Sequence, residues 1–163
     1  RKEREDMSMR ALEPSDRETV AALMIEQWGA DLILVHDEQF VPSELPGFVA
    51  LDGEKWLGLV TYRIDGDQCE IITLNSFDMG KGIGSALIEA VAQAARAAGC
   101  RRLWLITTND NLEALRFYQR RGMALVAVHR DAVTRARERK PSIPLIGEHG
   151  IPLRDEIELE MLL

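Results

Sequence analysis

Apolar residues along this chain follow two rhythms. Between residues 48 and 75 they come in short runs: 48–51 and 56–64 flank Asp52-Gly53-Glu54, and 56–64 and 69–75 flank Asp65-Gly66-Asp67. Runs of this length joined by Gly-containing turns predict β-hairpins, hence three consecutive antiparallel strands. From residue 82 the rhythm changes. Ile83, Leu87, Val91, Ala94 and Ala98 recur at helical spacing, which predicts a helix over 82–98 capped by Gly99. Leu112, Leu115 and Tyr118 or Gln119 repeat that spacing and predict a second helix over 111–121, ended by Gly122.

The flanking segments complete the order. Residues 7–12 read as a first strand. Ser15 with Glu18 three residues later forms a capping-box signature, so a helix is expected to start there. Val20, Leu23, Met24 and Trp28 share its apolar face and Gly29 ends it. Residues 32–35 fit a helical turn or a short strand, and Pro42 and Pro46 make the following stretch a loop. Strands are expected over 102–107 and 123–129, and a charged helix over 131–140. In 154–163, Ile157, Leu159 and Met161 alternate with Glu156, Glu158 and Glu160, the period of a strand with one apolar face. No repeat or low-complexity linker interrupts this order. It predicts a single α/β domain over 1–163, with a mixed, mostly antiparallel central sheet flanked by helices. The six charged residues at 1–6 are expected to fray.

Composition narrows the function. A hydrophobic share of 46% in 163 residues supports a folded core. No apolar run is long enough to span a bilayer, so no membrane role is expected. A net charge of -7 argues against nucleic-acid binding, which needs a basic footprint, and suits a cationic acceptor such as an amine. Cys69 and Cys100 stand far apart and read as reduced thiols of a cytoplasmic protein. His36, His129 and His149 lack metal-ligand spacing, so no metal is expected.

The most informative stretch joins the third hairpin strand to the first long helix: Met79-Gly80-Lys81-Gly82-Ile83-Gly84-Ser85. Glycines let a ligand approach the backbone, and N–H groups at a helix start favour an anion such as pyrophosphate. A Walker loop requires Ser or Thr after its lysine, but Lys81 precedes Gly82. A G-x-G-x-x-G fingerprint fails from Gly80, where Ser85 takes the last position, and from Gly82, where Leu87 does.

This turn, followed about thirty residues later by Asn111-Leu112-Glu113-Ala114-Leu115-Arg116-Phe117-Tyr118-Gln119-Arg120-Arg121-Gly122-Met123, resembles the GCN5-related N-acetyltransferase (GNAT) family. The resemblance extends from Met9 to Leu163. It implies a sheet splayed at an acetyl-CoA site, with pantetheine along the backbone of Leu74, Asn75 and Ser76 and pyrophosphate on the turn Met79, Gly80, Lys81, Gly82, Ile83, Gly84 and Ser85. Asn111 would contact the pantetheine or hold the second helix. Tyr118 would be the general acid for the departing thiolate, and Glu70, by its position on the strand, the candidate base. His36, Asp37 and Glu38 are second candidates for the base, or would hold a cationic amine instead. Two departures stand out: Met79 replaces the usual Arg or Gln, and Leu74-Asn75-Ser76 replaces Val-x-Pro.

The implied activity is acetyl transfer from acetyl-CoA to a primary amine, with a small molecule as the favoured acceptor and a protein or peptide as the alternative. A non-catalytic acyl-CoA-binding module is the rival from another class. The segment 131–152 is an insertion: a solvated basic helix with its loop, or a lid over the acceptor. A homodimer is left open.

Overall fold

A computed structural model describes residues 7–77 and 82–163. Met79, Gly80 and Lys81 of the glycine-rich turn lie outside the described residues. The chain forms two compact units.

The first unit takes in described residues of 1–33 and 41–103, with Leu163. Strands β1 (Met7–Ala11), β4 (Gly47–Asp52), β5 (Lys55–Asp65) and β6 (Gln68–Ser76) lie side by side in that order, with the start of β7 (Arg102–Thr108) next. The pairs β1–β4, β4–β5 and β5–β6 are antiparallel, as the Gly-containing turns predict. Helix α1 (Arg17–Trp28) places Val20 and Met24 against Leu59 of β5, with Leu12, Leu23, Trp56 and Phe77 around them. Helix α2 (Ile83–Ala97) buries Ile83, Leu87, Ile88, Val91, Ala92 and Ala95. A Cβ at Gly58 of β5 would stand 2.6 Å from Ile83 Cγ2 and 3.0 Å from Leu87 Cδ1, so glycine is what lets this helix lie so close to the sheet.

Three expectations need correction here. The capping box at the entrance to α1 is made by Glu13 and Asp16 around a 3-10 turn at Pro14–Asp16, not by Ser15 and Glu18. Asp16 accepts the Glu13 N–H at 2.7 Å and is gripped by both terminal nitrogens of Arg10 at 2.7 and 3.0 Å. Trp28 is 52% exposed, because the last turn of α1 runs past the apolar cluster. The buried stripe of α2 bends towards Ala92 and Ala95, leaving Ala98 exposed.

The second unit comprises 34–40 and 104–162. The rest of β7, then β9 (Glu156–Leu162), then β8 (Ala124–His129) form its sheet, with β8–β9 antiparallel. A hairpin of β2 (Ile33–Val35) and β3 (Glu38–Phe40) resolves the ambiguous segment as strand. Helix α3 (Leu112–Arg120) follows β7, and helix α4 (Ala132–Arg139) opens the insertion. α4 is not solvated all round: Ala132, Val133 and Ala136 are buried. Arg137 donates to the carbonyls of Ile143, Pro144 and Leu153. Asn109 fastens the far end of the insertion, accepting the N–H groups of Arg154 and Asp155 and donating to the Pro152 carbonyl.

Candidate active site

In the first unit, the described residues of the site lie on β6 and the start of α2. Gly82 precedes α2 with φ 71° and ψ 16°, a left-handed conformation that costs glycine little and other residues considerably more. Having no side chain, Gly82 cannot cap the helix, and the first turn holds no acidic residue. Ile83 and Gly84 are buried, and Ser85 is partly exposed.

β6 carries a polar row that its sequence conceals. A register shift between Thr61 and Tyr62 gives β6 one extra residue against β5, so Leu59 faces Asn75, Thr61 faces Thr73 and Arg63 faces Glu70. Alternation alone would put residues 70 and 73 on opposite faces; the bulge brings them to one. The Thr61 and Thr73 hydroxyls lie 2.6 Å apart. Arg63 donates to Glu70 at 3.4 Å. Thr61, Glu70, Thr73 and Asn75 are all buried, with exposures of 0, 2, 4 and 8%. The Oδ1 atom of Asn75 is buried without a hydrogen-bond partner among the described residues. Thr61, Arg63 and Thr73 went unrecognised as site candidates because only the register brings them into line with Glu70. Leu74 is half-buried and Ser76 exposed on the same strand.

In the second unit, Asn111 is the N-cap of α3, its Oδ1 accepting the Ala114 N–H at 3.2 Å. Of the two roles expected for it, holding the helix is the one this bond performs. Tyr118 is half-buried, its ring 5.3 Å from Phe117 and nearly perpendicular to it. Burial raises its phenol well above the usual value near 10, because a phenolate would lose its hydration. The phenol therefore stays protonated at neutral pH.

The hairpin residues have structural partners. His36 donates its N–H to Glu156 Oε1 at 3.1 Å, and its ring lies 5.4 Å from Trp104 and 5.8 Å from Phe40. The Asp37 carbonyl accepts from Arg139 at 2.8 Å. Glu38 and Asp37 side chains are exposed. Glu156 is buried, and desolvation raises its pKa above the ordinary carboxylate value. Among the described residues, one group has metal-ligand proximity: exposed Glu113, Glu148 and His149, with ligand atoms within 4.8 Å of one another. A 2.7 Å hydrogen bond between His149 and Glu113 accounts for that closeness. Cys69 and Cys100 are buried free thiols, and burial pushes the Cys69 thiol up to about 12. Among the described residues no helix is long and apolar enough to cross a membrane.

Comparison with known proteins places this geometry. The family model described as "Acetyltransferase (GNAT) family" matches residues 8–123. A Bacillus subtilis (strain 168) relative, YdhI, is 46% identical over 133 residues, 81% of this chain and 83% of its own. Streptothricin acetyltransferase from Streptomyces lavendulae is 36% identical over 82 residues, 50% of this chain and 40% of its own. The crystal structure of a Bacillus subtilis acetyltransferase in complex with CoA superposes with a TM-score of 0.70 at 17% identity, covering 96% of this chain and 97% of that one.

Proposed function

Because the chain belongs to the GNAT acetyltransferase family, we propose that it transfers the acetyl group of acetyl-CoA to a primary amine on a small molecule. The observation that carries the mechanism is Tyr118, a half-buried phenol on the helix that bears the family motif. A general acid must hold its proton until the leaving group needs it. The uncapped left-handed glycine at the start of α2 suits a phosphate, since a side chain there would crowd the ligand and compete for the N–H groups. CoA bound in a similarly folded protein supports the same ligand here. One relative is named for acetylating streptothricin, and the net charge of -7 supports a cationic acceptor.

In this reading the turn from Met79 to Ser85 holds the pyrophosphate through backbone N–H groups, because Met79 offers no charge. The backbone of Leu74, Asn75 and Ser76 lies along the pantetheine as an added strand would. Asn111 keeps α3 in register for Tyr118. The neutral amine attacks the thioester carbon, and the backbone N–H of Leu74 meets the oxyanion. As the C–N bond forms and the C–S bond breaks, Tyr118 gives its proton to the sulfur and Glu70 takes the one lost by the amine.

Replacing Tyr118 with Phe tests this reading. The variant should bind acetyl-CoA like the wild type while kcat falls about 10²-fold or more, the usual scale for a positioned acid. An unchanged kcat would remove Tyr118 from the mechanism.

A further inference from the structure

Buried amide groups in folded proteins are almost always hydrogen-bonded, and an orphan calls for an explanation such as a ligand. Asn75 is 8% exposed, and its Oδ1 is buried with no partner among the described residues. It faces Leu59 across β5–β6 and so stands on the side where Leu59 meets Val20 and Met24 of α1. The next two pairs on that side are Thr61–Thr73, with hydroxyls 2.6 Å apart, and Arg63–Glu70. The Thr–Thr and Arg–Glu pairs are ordinary stabilising cross-strand partners; the unpaired oxygen of Asn75 is what strand formation does not account for.

We propose that Asn75 Oδ1 accepts a hydrogen bond from the attacking nitrogen of the acceptor amine, and that the Thr61–Thr73 hydroxyl pair passes the nitrogen's surplus proton towards Glu70. The proposal rests on the acetyl-transfer reading above and deepens it. Arg63 lies four residue steps beyond Leu59, a rise of about 13 Å along a strand. A carboxylate opposite Arg63 is therefore too far from an amine held opposite Leu59 to take its proton directly. The hydroxyl pair stands midway, and a hydroxyl can accept a proton on one lone pair while giving up its own, so the pair divides the span into two shorter transfers. The bookkeeping balances: nitrogen bonds to the acetyl carbon, sulfur leaves with the Tyr118 proton, and the nitrogen's excess proton ends on Glu70.

This arrangement sets a substrate class. The attacking nitrogen needs one hydrogen to donate to Asn75 and another to lose after attack, so primary amines qualify and their N-methyl counterparts do not.

The test uses the full chain, acetyl-CoA and matched primary and N-methyl amines, with Asn75→Leu and Asn75→Asp variants. Asn75→Leu keeps the side-chain size but removes the acceptor atom. It should raise or preserve Tm, since an unpaired buried polar group is lost, and leave the Kd for acetyl-CoA unchanged. Its kcat/KM for the primary amine should fall about 10²-fold, the scale of a lost orienting contact, and its preference over the N-methyl amine should shrink. Asn75→Asp keeps an acceptor oxygen and should retain most of that preference. Wild-type kcat/KM and unchanged selectivity in Asn75→Leu would overturn the proposal, as would a fall in Tm that showed the amide to be paired. A wild-type chain that binds acetyl-CoA but acetylates no amine would overturn the underlying reading as well, a result distinct from either of those.

Discussion

Replacing Gly58 with Ala puts one methyl group where β5 meets α2. The added Cβ would lie 2.6 Å from Ile83 Cγ2, 2.9 Å from the Asn75 carbonyl oxygen and 3.0 Å from Leu87 Cδ1. Carbon atoms at best contact stand ~3.5–4.0 Å apart, so Ile83 must withdraw by about 1 Å. It has nowhere to go: Ile83 is 1% exposed and Leu87 fully buried. The Asn75 oxygen belongs to the backbone of β6 and cannot swing aside. Overpacking of this kind costs about 1–3 kcal/mol, which for a chain of this length lowers Tm by about 2–12 °C. The functional effect follows from the place of the strain. Ile83 opens α2, so the N–H groups proposed to hold pyrophosphate move with it, and affinity for acetyl-CoA should fall. Urea unfolding and calorimetric titration with acetyl-CoA measure the two effects. Gly53→Ala is the control: its φ is +61° with nothing within 4 Å of a Cβ, so it should lose stability while binding acetyl-CoA normally. A Gly58→Ala protein with wild-type Tm and wild-type affinity would refute the close-approach argument.

Two further outcomes follow from single contacts. Asn111→Ala removes the cap on the Ala114 N–H and should cost about 1 kcal/mol, within the ~0.5–2 range for such losses, seen as a lower urea midpoint. Glu156→Gln keeps an acceptor for the His36 N–H and removes a buried charge. Because the folded state raises the pKa of Glu156 above 4.5, it binds the proton more tightly than the unfolded chain, and the wild type loses stability as pH rises through that raised value. The variant should therefore be more stable than wild type at pH 7, with the advantage shrinking towards pH 4, as urea midpoints at the two pH values would show.

Much of the fold was legible because local chemistry and tertiary structure agree. The Gly53 and Gly66 turns fixed the hairpins, and Gly29, Gly99 and Gly122 end or follow their helices in positive φ. Agreement failed where a distant group took over. Ser15 looked like a cap, but Arg10 recruits Asp16 and the chain turns once as 3-10 before α1 starts. The candidate site divides in the same way. Gly82, Asn111 and Tyr118 stood out because motif and helix spacing point to them. Glu70 was visible as a carboxylate on a strand, but its face was not, since one extra residue in β6 reverses the alternation. For that reason Thr61, Arg63 and Thr73 escaped notice, and Asn75 stood out for its backbone rather than its side chain.

The central claim is acetyl transfer to a small primary amine. Its most direct test incubates the wild-type chain with acetyl-CoA and a panel of primary amines, following thiol release and identifying the acetylated product by mass spectrometry. The account predicts thiol release that depends on the amine, with one amide formed for each thiol. Tight acetyl-CoA binding with no thiol release for any amine in the panel would contradict it.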